Sequence, residues 1–600
     1  MGKSCLSMSR RNLLRSAAGG VAALAVLPLL AACGGDDDDE PTATPAQAAP
    51  TPTSPAAEAT ATTAAPAPTA TTAAPAASPT SPPSGSADRL MGKQIEATGS
   101  EGGTLILATP YGGETISPFD AYPYAYIAFE LLVELHPDTS ELVGNLAEGW
   151  EVSADGLTVT CNLRSGVTWH DGEPFTADDV TTTYTINTNP DNLYASAFSG
   201  IARVETLDEL TVAFTLASPD VDFIPGTLAI WPVGADHIWN GVDVVTLYED
   251  GGVTGADPAR VIGTGPFMFS EISPAEHISF AAYPDYWDGA PHLDEVIYRV
   301  TPDPTAMSQM LITGSLDAIP FPPGVDPAAV IELERAGGIT LPQFPAGDVQ
   351  LIYFNQSEEL APFFTDVNVR KALLLAIDRE LLLEGVLFGY GQLAHGVITP
   401  LSWAYSDDVD PTYAYDPDGA AALLDEAGWV AGSGGARAKD GTPLSFTVSV
   451  WEANVDSISY AEAIQQFWAD IGVAMEIQVE TTAVYFEKFS AERTYQAVIG
   501  THYPGSSPIF APSFLCEGDD NRIGYCNPDV DALLFEAAGE PDREKRVGLY
   551  TQANSILMQD VAVAPLAFTT GIAAVSERAH NLFPNAVNFL FNAETWWIES

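Results

Sequence analysis

Helical and strand patterns alternate along the second half of this chain. From Asp366 to about Leu387, apolar residues recur at the spacing of one amphipathic helix. A second helix has Asp416 as its cap, Pro417 in its first turn and Gly428 after its end. Further elements follow in order: a strand at 444–451, a helix at 458–470, a strand at 473–480, a helix from Asp542 to Gln559 and a strand at 563–569. This alternation predicts α/β lobes whose sheets are covered by helices on both faces.

The first half of the body is richer in strands. Apolar or alternating runs predict strands at 104–109, 157–163 and 210–216. Thr176 and Asp179 form a capping-box pattern ahead of a helix that reaches Tyr184. We therefore expect a strand-rich subdomain, from about residue 130 to 260, appended to the first lobe.

A low-complexity segment separates this body from the start of the chain. Residues 41–87 contain 17 Ala, 11 Thr and 11 Pro, and Glu58 is their one charge. Without large apolar side chains, such a segment cannot offset the entropy lost on ordering. We expect an extended tether, with the folded body beginning near Gly102.

The first residues have the pattern of an export signal. Arg10 and Arg11, followed by Leu13 and Leu14, look like a twin-arginine signal, and Sec export remains an alternative. The apolar run that follows is short for a membrane span. It ends in Leu-Ala-Ala before Cys33, which resembles the lipobox of bacterial lipoproteins. We expect a lipid on Cys33, although a chance cysteine after an ordinary signal peptide would give the same letters.

Charge excludes some classes of partner. The chain has 23 Lys and Arg against 80 Asp and Glu, a net charge of −57. Such a surface repels nucleic-acid phosphates and lacks the basic patch that docks on anionic lipid. An acidic surface fits either an exported protein or a salt-rich habitat.

The cysteines agree with export. Cys516 and Cys526 lie ten residues apart, with Gly and Asn between them, so we expect a local disulfide. Cys161 falls in an alternating strand and is interpreted as a buried thiol. We expect no metal and no cofactor, because the histidines are scattered and lack ligand spacing.

The sequence contains no catalytic signature. It has no G-x-S-x-G, H-E-x-x-H or G-x-x-x-x-G-K motif. His170 and Asp171 suggest a metal site, but they fall in a Gly-containing turn and are better interpreted as structural. We predict a protein that is not an enzyme.

Three widely separated stretches carry a family pattern. The first is L-A-E-G-W-E-V-S-A-D-G-L-T-V-T-C-N-L-R-S-G-V-T-W-H-D-G-E-P-F-T-A-D-D-V, from Leu146 to Val180. The second pairs G-T-G-P-F, Gly263 to Phe267, with Y-P-D-Y-W-D-G-A-P-H-L-D-E-V, Tyr283 to Val296. The third pairs V-R-K-A-L-L-L-A-I-D-R, Val369 to Arg379, with Y-D-P-D-G-A-A-A-L-L-D-E-A-G-W, Tyr415 to Trp429. From about residue 100 to 600, the chain resembles the extracellular solute-binding proteins of family 5, which serve oligopeptide and dipeptide ABC importers.

The resemblance implies a two-lobed α/β fold of the periplasmic-binding-protein type. It implies crossings between the lobes near 350 and 565, with ligand enclosed between the lobes and delivered to a membrane permease. We expect a monomer anchored on the outer face of the cytoplasmic membrane. The expected divisions are a signal peptide (1–32), a lipidated cysteine and tether (33–100), lobe I (101–355), lobe II (356–565) and a return to lobe I (566–600).

Candidate ligand-binding residues follow from where strands end, because strand ends in α/β lobes face the ligand crevice. Trp451 and Tyr111 end or follow strands in this way. Phe354 and Asn355 close another strand, and Asn355 has a turn-holding role as its alternative. Trp403 is an aromatic residue in a loop, and the sequence is equally consistent with a position in the cleft and a position in the core. His502 and Tyr503 follow the strand at 497–500.

One departure from the family bears on the ligand. Peptide-binding relatives carry an aspartate for the peptide's α-amino group after the strand equivalent to 497–500, whereas residues 501–508 contain no acid. A buried ammonium without a carboxylate is costly. The first ligand prediction is a peptide, and an oligosaccharide or other polar solute is the alternative. An exported hydrolase and a sensor for a membrane receptor remain further alternatives.

Overall fold

The computed structural model describes residues 95–96, 100–110, 116–119, 123–248, 258–273, 275–506, 508, 511–518, 520–588 and 590–599. The expected signal peptide, Cys33, the tether and Tyr111 lie outside the described residues. Within the described ranges, no helix combines the length and hydrophobicity needed to cross a bilayer.

The elements are numbered in chain order. The α-helices α1 to α12 are Ala177–Asn187, Asp236–Trp239, Pro304–Ile312, Val330–Ala336, Val367–Leu375, Arg379–Val386, Pro417–Glu426, Val455–Asp470, Thr482–Phe486, Ala511–Phe514, Pro528–Gly539 and Arg543–Gln559. Strands β1 to β12 are Thr104–Thr109, Val133–Leu135, Leu142–Gly144, Ala147–Val152, Thr158–Leu163, Ile201–Asp208, Thr211–Leu216, Phe267–Ser273, His277–Ala282, Glu295–Val300, Ala318–Ile319 and Ile339–Thr340. Strands β13 to β24 are Gln343–Phe354, Gly391–Leu393, Val430–Ala431, Arg437–Lys439, Thr442–Pro443, Ser445–Trp451, Ala474–Glu480, Ala497–His502, Val563–Ile572, Ala574–Ser576, Ala579–His580 and Trp597–Ile598.

Two mixed sheets organise the body. The first has the strand order β12-β22-β11-β1-β10-β9-β8, and the second has the order β14-β21-β13-β20-β18-β19. In the second sheet, β18 runs parallel to both β19 and β20, as expected for strands joined by helical crossovers. Fully buried apolar residues form separate cores around each sheet. The predicted two-lobed α/β fold is confirmed.

The chain crosses between the sheets at two neighbouring places. Strand β12 ends at Thr340 in the first sheet and β13 begins at Gln343 in the second. Strand β21 ends at Ile572 in the second sheet and β22 begins at Ala574 in the first. The expected lobe boundaries at 355 and 565 are therefore corrected, because β13 and β21 belong to the second sheet along their whole length.

The strand-rich region of the first lobe has a sheet of its own, with the order β4-β5-β7-β6 and antiparallel pairing throughout. Helix α1 begins where expected, and the Asp179 carboxylate accepts the Thr176 N–H at 2.7 Å. Cys161, on β5, is a fully buried free thiol, as predicted.

A contact between His170 and Gly263 connects two of the family motifs, one containing each residue. The His170 ring lies between two backbone groups, with Nδ1 3.1 Å from the Gly263 N–H and Nε2 2.9 Å from the Gly265 carbonyl. Burial lowers the pKa of His170 to about 4, so the ring is neutral near pH 7. A Cβ on Gly263 would lie 1.8 Å from the Ala128 carbonyl oxygen. The motif thus serves packing, in line with its interpretation as a structural turn.

The helix expected from Asp366 to about Leu387 is in fact two helices. Helix α5 ends at Leu375, and α6 starts at Arg379 because the Asp378 carboxylate accepts the Leu381 N–H at 3.0 Å and caps a new helix. The single-helix prediction was wrong because apolar spacing continues across the break.

Two arginines of the family motif Val369 to Arg379 anchor these helices to β21 and to the residues just before it. Arg370 is 4% exposed and donates to the carbonyls of Phe364, Asp560 and Val561. Arg379 is 7% exposed and donates to the carbonyls of Ala394, Tyr413 and Pro565. Each buried guanidinium therefore satisfies backbone acceptors where the chain turns.

Replacing Gly263 with alanine should destabilise the first lobe. The new methyl group has to displace backbone, at a cost of about 2–3 kcal/mol. Denaturant unfolding measures the change. Gly149→Ala is the matched control, because a Cβ there has nothing within 4 Å. Equal stability of Gly263→Ala and the wild type would contradict this packing.

Candidate ligand-binding cleft

The ends of several strands form one edge of the second sheet, which lies beside the two crossovers between the lobes. Strands β18 and β20 end there, at Trp451 and His502, beside the beginning of β13 and the end of β21. A residue of the first lobe meets this edge, since the Val325 N–H donates to the Ile572 carbonyl at 2.7 Å. The ends of parallel strands in α/β sheets are where ligands bind. The candidate site is therefore this edge, at the boundary of the lobes.

A polar network covers one face of the edge. Gln350 on β13 lies opposite Thr501 on β20 and donates through Nε2 to the Thr501 hydroxyl at 2.9 Å. The Asn454 amide donates to the same hydroxyl at 3.3 Å. Asn454 also caps α8, because its Oδ1 accepts the Ser457 N–H at 3.0 Å. The network thus fixes the start of α8 against the two strands.

Aromatic residues cover the other face. Trp451 donates from its indole nitrogen to the Thr482 hydroxyl at 2.9 Å, and its ring stacks on Tyr485 with 6.1 Å between centroids. His502 lies edge-on to Phe514 at 6.0 Å. Burial lowers the pKa of His502 to about 4, so this imidazole is neutral near pH 7. These side chains offer an apolar wall and a neutral ring.

The loop after β20 brings Trp403 to the same wall. The Trp403 N–H donates to the Ser506 carbonyl at 3.3 Å, and the Gly505 N–H donates to the Gly347 carbonyl at 3.2 Å. Tyr503, between β20 and this contact, is 52% exposed. The structure therefore gathers Trp403, Trp451, His502 and Tyr503 near the edge, where the sequence analysis expected ligand-binding residues.

Phe354 and Asn355 do not belong to this group. Phe354 is fully buried in the core of the second lobe against Phe364, because β13 points its side chain inward. The Asn355 amide donates to the carbonyls of Arg493 and Tyr495, and its oxygen accepts the Ser357 N–H. With its hydrogen-bonding groups used, Asn355 holds a turn, which was its alternative role. Both residues are withdrawn from the predicted ligand site.

An ion pair joins the lobes. Arg546 on α12 donates to the Asp222 carboxylate, in the loop after β7, at 3.2 Å. The Arg546 guanidinium also lies 4.3 Å from the centre of the Trp403 ring. Desolvation raises the pKa of Asp222, and Arg546 opposes that shift. The contact is nearly shielded from water, since the two side chains are 10% and 18% exposed.

Three carboxylates at the edge were not predicted. Asp348 on β13 accepts a hydrogen bond from the Thr569 hydroxyl on β21, and burial raises the pKa of Asp348 to about 6. Asp456 lies in the first turn of α8, and burial with the neighbouring Asp326 raises its pKa. Asp326 belongs to the first lobe and precedes a short turn of 3₁₀ helix. In a chain with 80 acids, no local pattern distinguishes these three.

The expected disulfide closes a loop of the second lobe. Cys516 and Cys526 are joined with 2.08 Å between the sulfur atoms. Within that loop, the Asn521 amide donates to the carbonyls of Leu515 and Tyr525. The described residues contain no group of three His, Cys, Asp or Glu side chains that could hold a metal.

Known proteins share this architecture and part of the sequence. The model of the bacterial extracellular solute-binding proteins, family 5, matches residues 141–521. The dipeptide-binding protein of Escherichia coli is 29% identical over 471 residues, which cover 73% of this chain and 82% of that protein. The heme-binding protein A of Haemophilus influenzae is 28% identical over 530 residues, covering 81% and 90%.

A solved structure agrees with these relatives. The oligopeptide-binding protein AppA of Bacillus subtilis, in complex with a nonapeptide, superposes with a TM-score of 0.72 and 26% identity, over 84% of this chain and all of AppA. The family model alone covers more than half of the chain. The protein therefore belongs to family 5 of the bacterial extracellular solute-binding proteins.

Proposed function

We propose that this protein captures a peptide between its lobes and delivers it to the permease of an ABC importer. The observation that carries the proposal is the edge itself, where polar groups of β13, β20 and α8 meet the first lobe beside two short crossovers. Relatives named for dipeptides and oligopeptides support the ligand class. Because another similar protein is named for heme, the choice of ligand rests on the chemistry of the cleft.

Capture would proceed by closure about the crossovers. A peptide binds first to the polar edge of the second lobe, and the first lobe then rotates over it. The Asp222–Arg546 contact forms as the lobes meet. The permease recognises the surface that closure creates, so that only a loaded receptor docks productively.

The aromatic side chains favour a peptide over an oligosaccharide. Sugars bind by stacking on exposed aromatic faces. Here Trp451 already stacks on Tyr485, and Trp403 lies beneath Arg546. The rings therefore act as a wall for apolar side chains of the ligand.

The proposal includes a lipid anchor at Cys33 and an extended tether over residues 41–87. A lipidated protein without a spanning helix stays at the membrane through its buried acyl chains. The tether would let the body reach the permease while remaining on the outer face of the membrane.

Loss of the Cys33 thiol should release the protein from membranes. In cells that process lipoproteins, Cys33→Ser is expected to move the protein from the membrane fraction to the soluble or secreted fraction. Quantitative blotting of the fractions measures the shift. Cys5→Ser, within the expected signal peptide, is the control and should leave the protein on the membrane. Retention of Cys33→Ser on membranes would contradict lipidation.

Peptides should stabilise the ligand-free protein against heat. A ligand at about 100 times its dissociation constant adds about 2.7 kcal/mol to the free energy of unfolding. A thermal-shift screen of the purified full-length chain, freed of co-purified ligand by unfolding and refolding, compares peptides with oligosaccharides and nickel chelates. Stabilisation by sugars or chelates, without any by peptides, would overturn the proposed ligand class.

Removing the interlobe cation should weaken capture. Arg546→Met leaves Asp222 and the nearby Asp220 without their positive partner when the lobes close. We expect peptide affinity to fall about tenfold, or 1.4 kcal/mol, by isothermal titration calorimetry.

Lys545→Met is the matched control for that measurement. It removes a neighbouring cation whose partners, Glu540 and Asp542, lie in the same lobe, and its side chain is 66% exposed. Equal loss of affinity in the two variants would contradict a specific role for the Arg546 contact.

A further inference from the structure

We propose that Asp348, Asp456 and Asp326 form the site for a positively charged group of the ligand, namely an ammonium such as the α-amino group of a peptide. The inference rests on the proposed function and specifies which part of the peptide the cleft recognises. It assigns this task to carboxylates on three elements other than the segment 501–508, which has no acid.

A contact with β21 places Asp348 at the polar edge. The register of β13 and β21 is irregular between Pro345 and Val349, and within this stretch the Thr569 hydroxyl donates to the Asp348 carboxylate. Gln350, two residues on, shares the face of Asp348 because side chains alternate along a strand. The Asp348 carboxylate therefore belongs to the same face as the Gln350–Thr501 hydrogen bond.

Helix α8 places Asp456 over that face. The Asn454 cap of the helix donates to the Thr501 hydroxyl, which fixes the first turn next to β20. Asp456 lies in this first turn. The proximity of Asp348 and Asp456 is also electrostatic, since the charge of Asp456 raises the pKa of Asp348.

The first lobe contributes the third carboxylate. Asp326 follows Val325, whose N–H donates to the Ile572 carbonyl at the end of β21. The charge of Asp326 raises the pKa of Asp456, so the two residues interact across the lobe boundary. The site is thus assembled from both lobes and needs them to be close together.

These carboxylates lack a compensating cation. Within the described part of the chain, no Lys, Arg or His forms an ion pair with any of them, whereas Asp222 has Arg546. Burial and a neighbouring carboxylate both disfavour the ionised forms of Asp348 and Asp456. A cationic ligand group would reverse that balance.

Unpartnered polar atoms at the same place point to a ligand. Tyr460 lies one turn after Asp456 on α8, is fully buried, and has no hydrogen-bond partner for its hydroxyl. The charges of Asp456 and Asp348 both raise the pKa of Tyr460, so its hydroxyl lies near both carboxylates. Gln350 is 4% exposed, and its Oε1 has no partner although its Nε2 donates to Thr501. Buried polar atoms normally have a partner.

An ammonium fits this arrangement better than a bare metal ion. The described residues include no cluster of three carboxylate, thiol or imidazole side chains close enough to hold a metal. An ammonium has three N–H donors, which suits separated acceptors such as two carboxylates and the Gln350 Oε1. Its charge would remove the repulsion that otherwise opposes bringing Asp326 towards Asp456, so binding would favour closure.

The test compares free and blocked amines. The purified full-length protein, freed of ligand, is incubated with a pool of short random-sequence peptides or with the same pool after N-terminal acetylation, and the retained peptides are identified by mass spectrometry after gel filtration. The wild type should retain free-amine peptides and exclude acetylated ones. For a retained peptide, Asp348→Asn and Asp456→Asn should each weaken binding at least about tenfold. Glu462→Gln, on the exposed side of α8, is the matched control and should bind as the wild type does.

The outcomes separate this inference from the proposed function. Equal retention of both pools, or unchanged affinity of Asp348→Asn and Asp456→Asn, would overturn the amine site and leave peptide capture in place. Retention of neither pool would overturn peptide capture and the amine site with it. Ligand-free Asp348→Asn, which keeps an oxygen for Thr569, should melt at or above the wild-type temperature because one repelling charge is gone. A lower melting temperature would show that the carboxylate stabilises the fold, and would also overturn the proposal.

Discussion

The pairing of β13 with β21 holds the two crossovers between the lobes side by side. It extends from Gln343–Ile572 at the crossovers to Tyr353–Val563 inside the second lobe. Strands β12 and β22 continue the pairing in the first lobe. Both connections leave one sheet and enter the other side by side, through the short segments 341–342 and 573. The proposed rotation of the lobes about these segments would enclose a ligand held beside them.

Charge distinguishes two parts of this cleft. Asp222 meets Arg546 across the lobes, so that part of the closed state has its own compensating cation. Asp456 repels Asp348 and is repelled by Asp326, and no protein cation pairs with these three carboxylates among the described residues. In a chain with a net charge of −57, a buried acidic group without a cation is a natural place for a ligand's positive charge. The Asp222–Arg546 contact would then favour closure with or without ligand. The three carboxylates would make closure depend on the positive charge of the ligand.

The family and the two-lobed fold could be predicted from long motifs and alternating elements, and the family assignment confirms a binding protein rather than an enzyme. The structure places Trp451 and His502 at strand ends on this edge, and their role in ligand binding stays a prediction. The prediction that Phe354 lines the ligand site was wrong because the sequence does not show which face of β13 packs against the core. The carboxylates were missed because their roles arise from contacts such as Asp348 with Thr569, which are 221 residues apart.

Ligand capture, as proposed, closes the lobes about β13 and β21. The most direct measurement is the distance between spin labels on Ser218→Cys and Glu544→Cys, exposed positions that flank Asp222 and Arg546 on opposite lobes. Double electron–electron resonance should give a broad, long distance distribution for the ligand-free protein. Addition of a free-amine peptide should give a shorter and narrower one. An unchanged distribution with a peptide shown to be bound would contradict capture by closure.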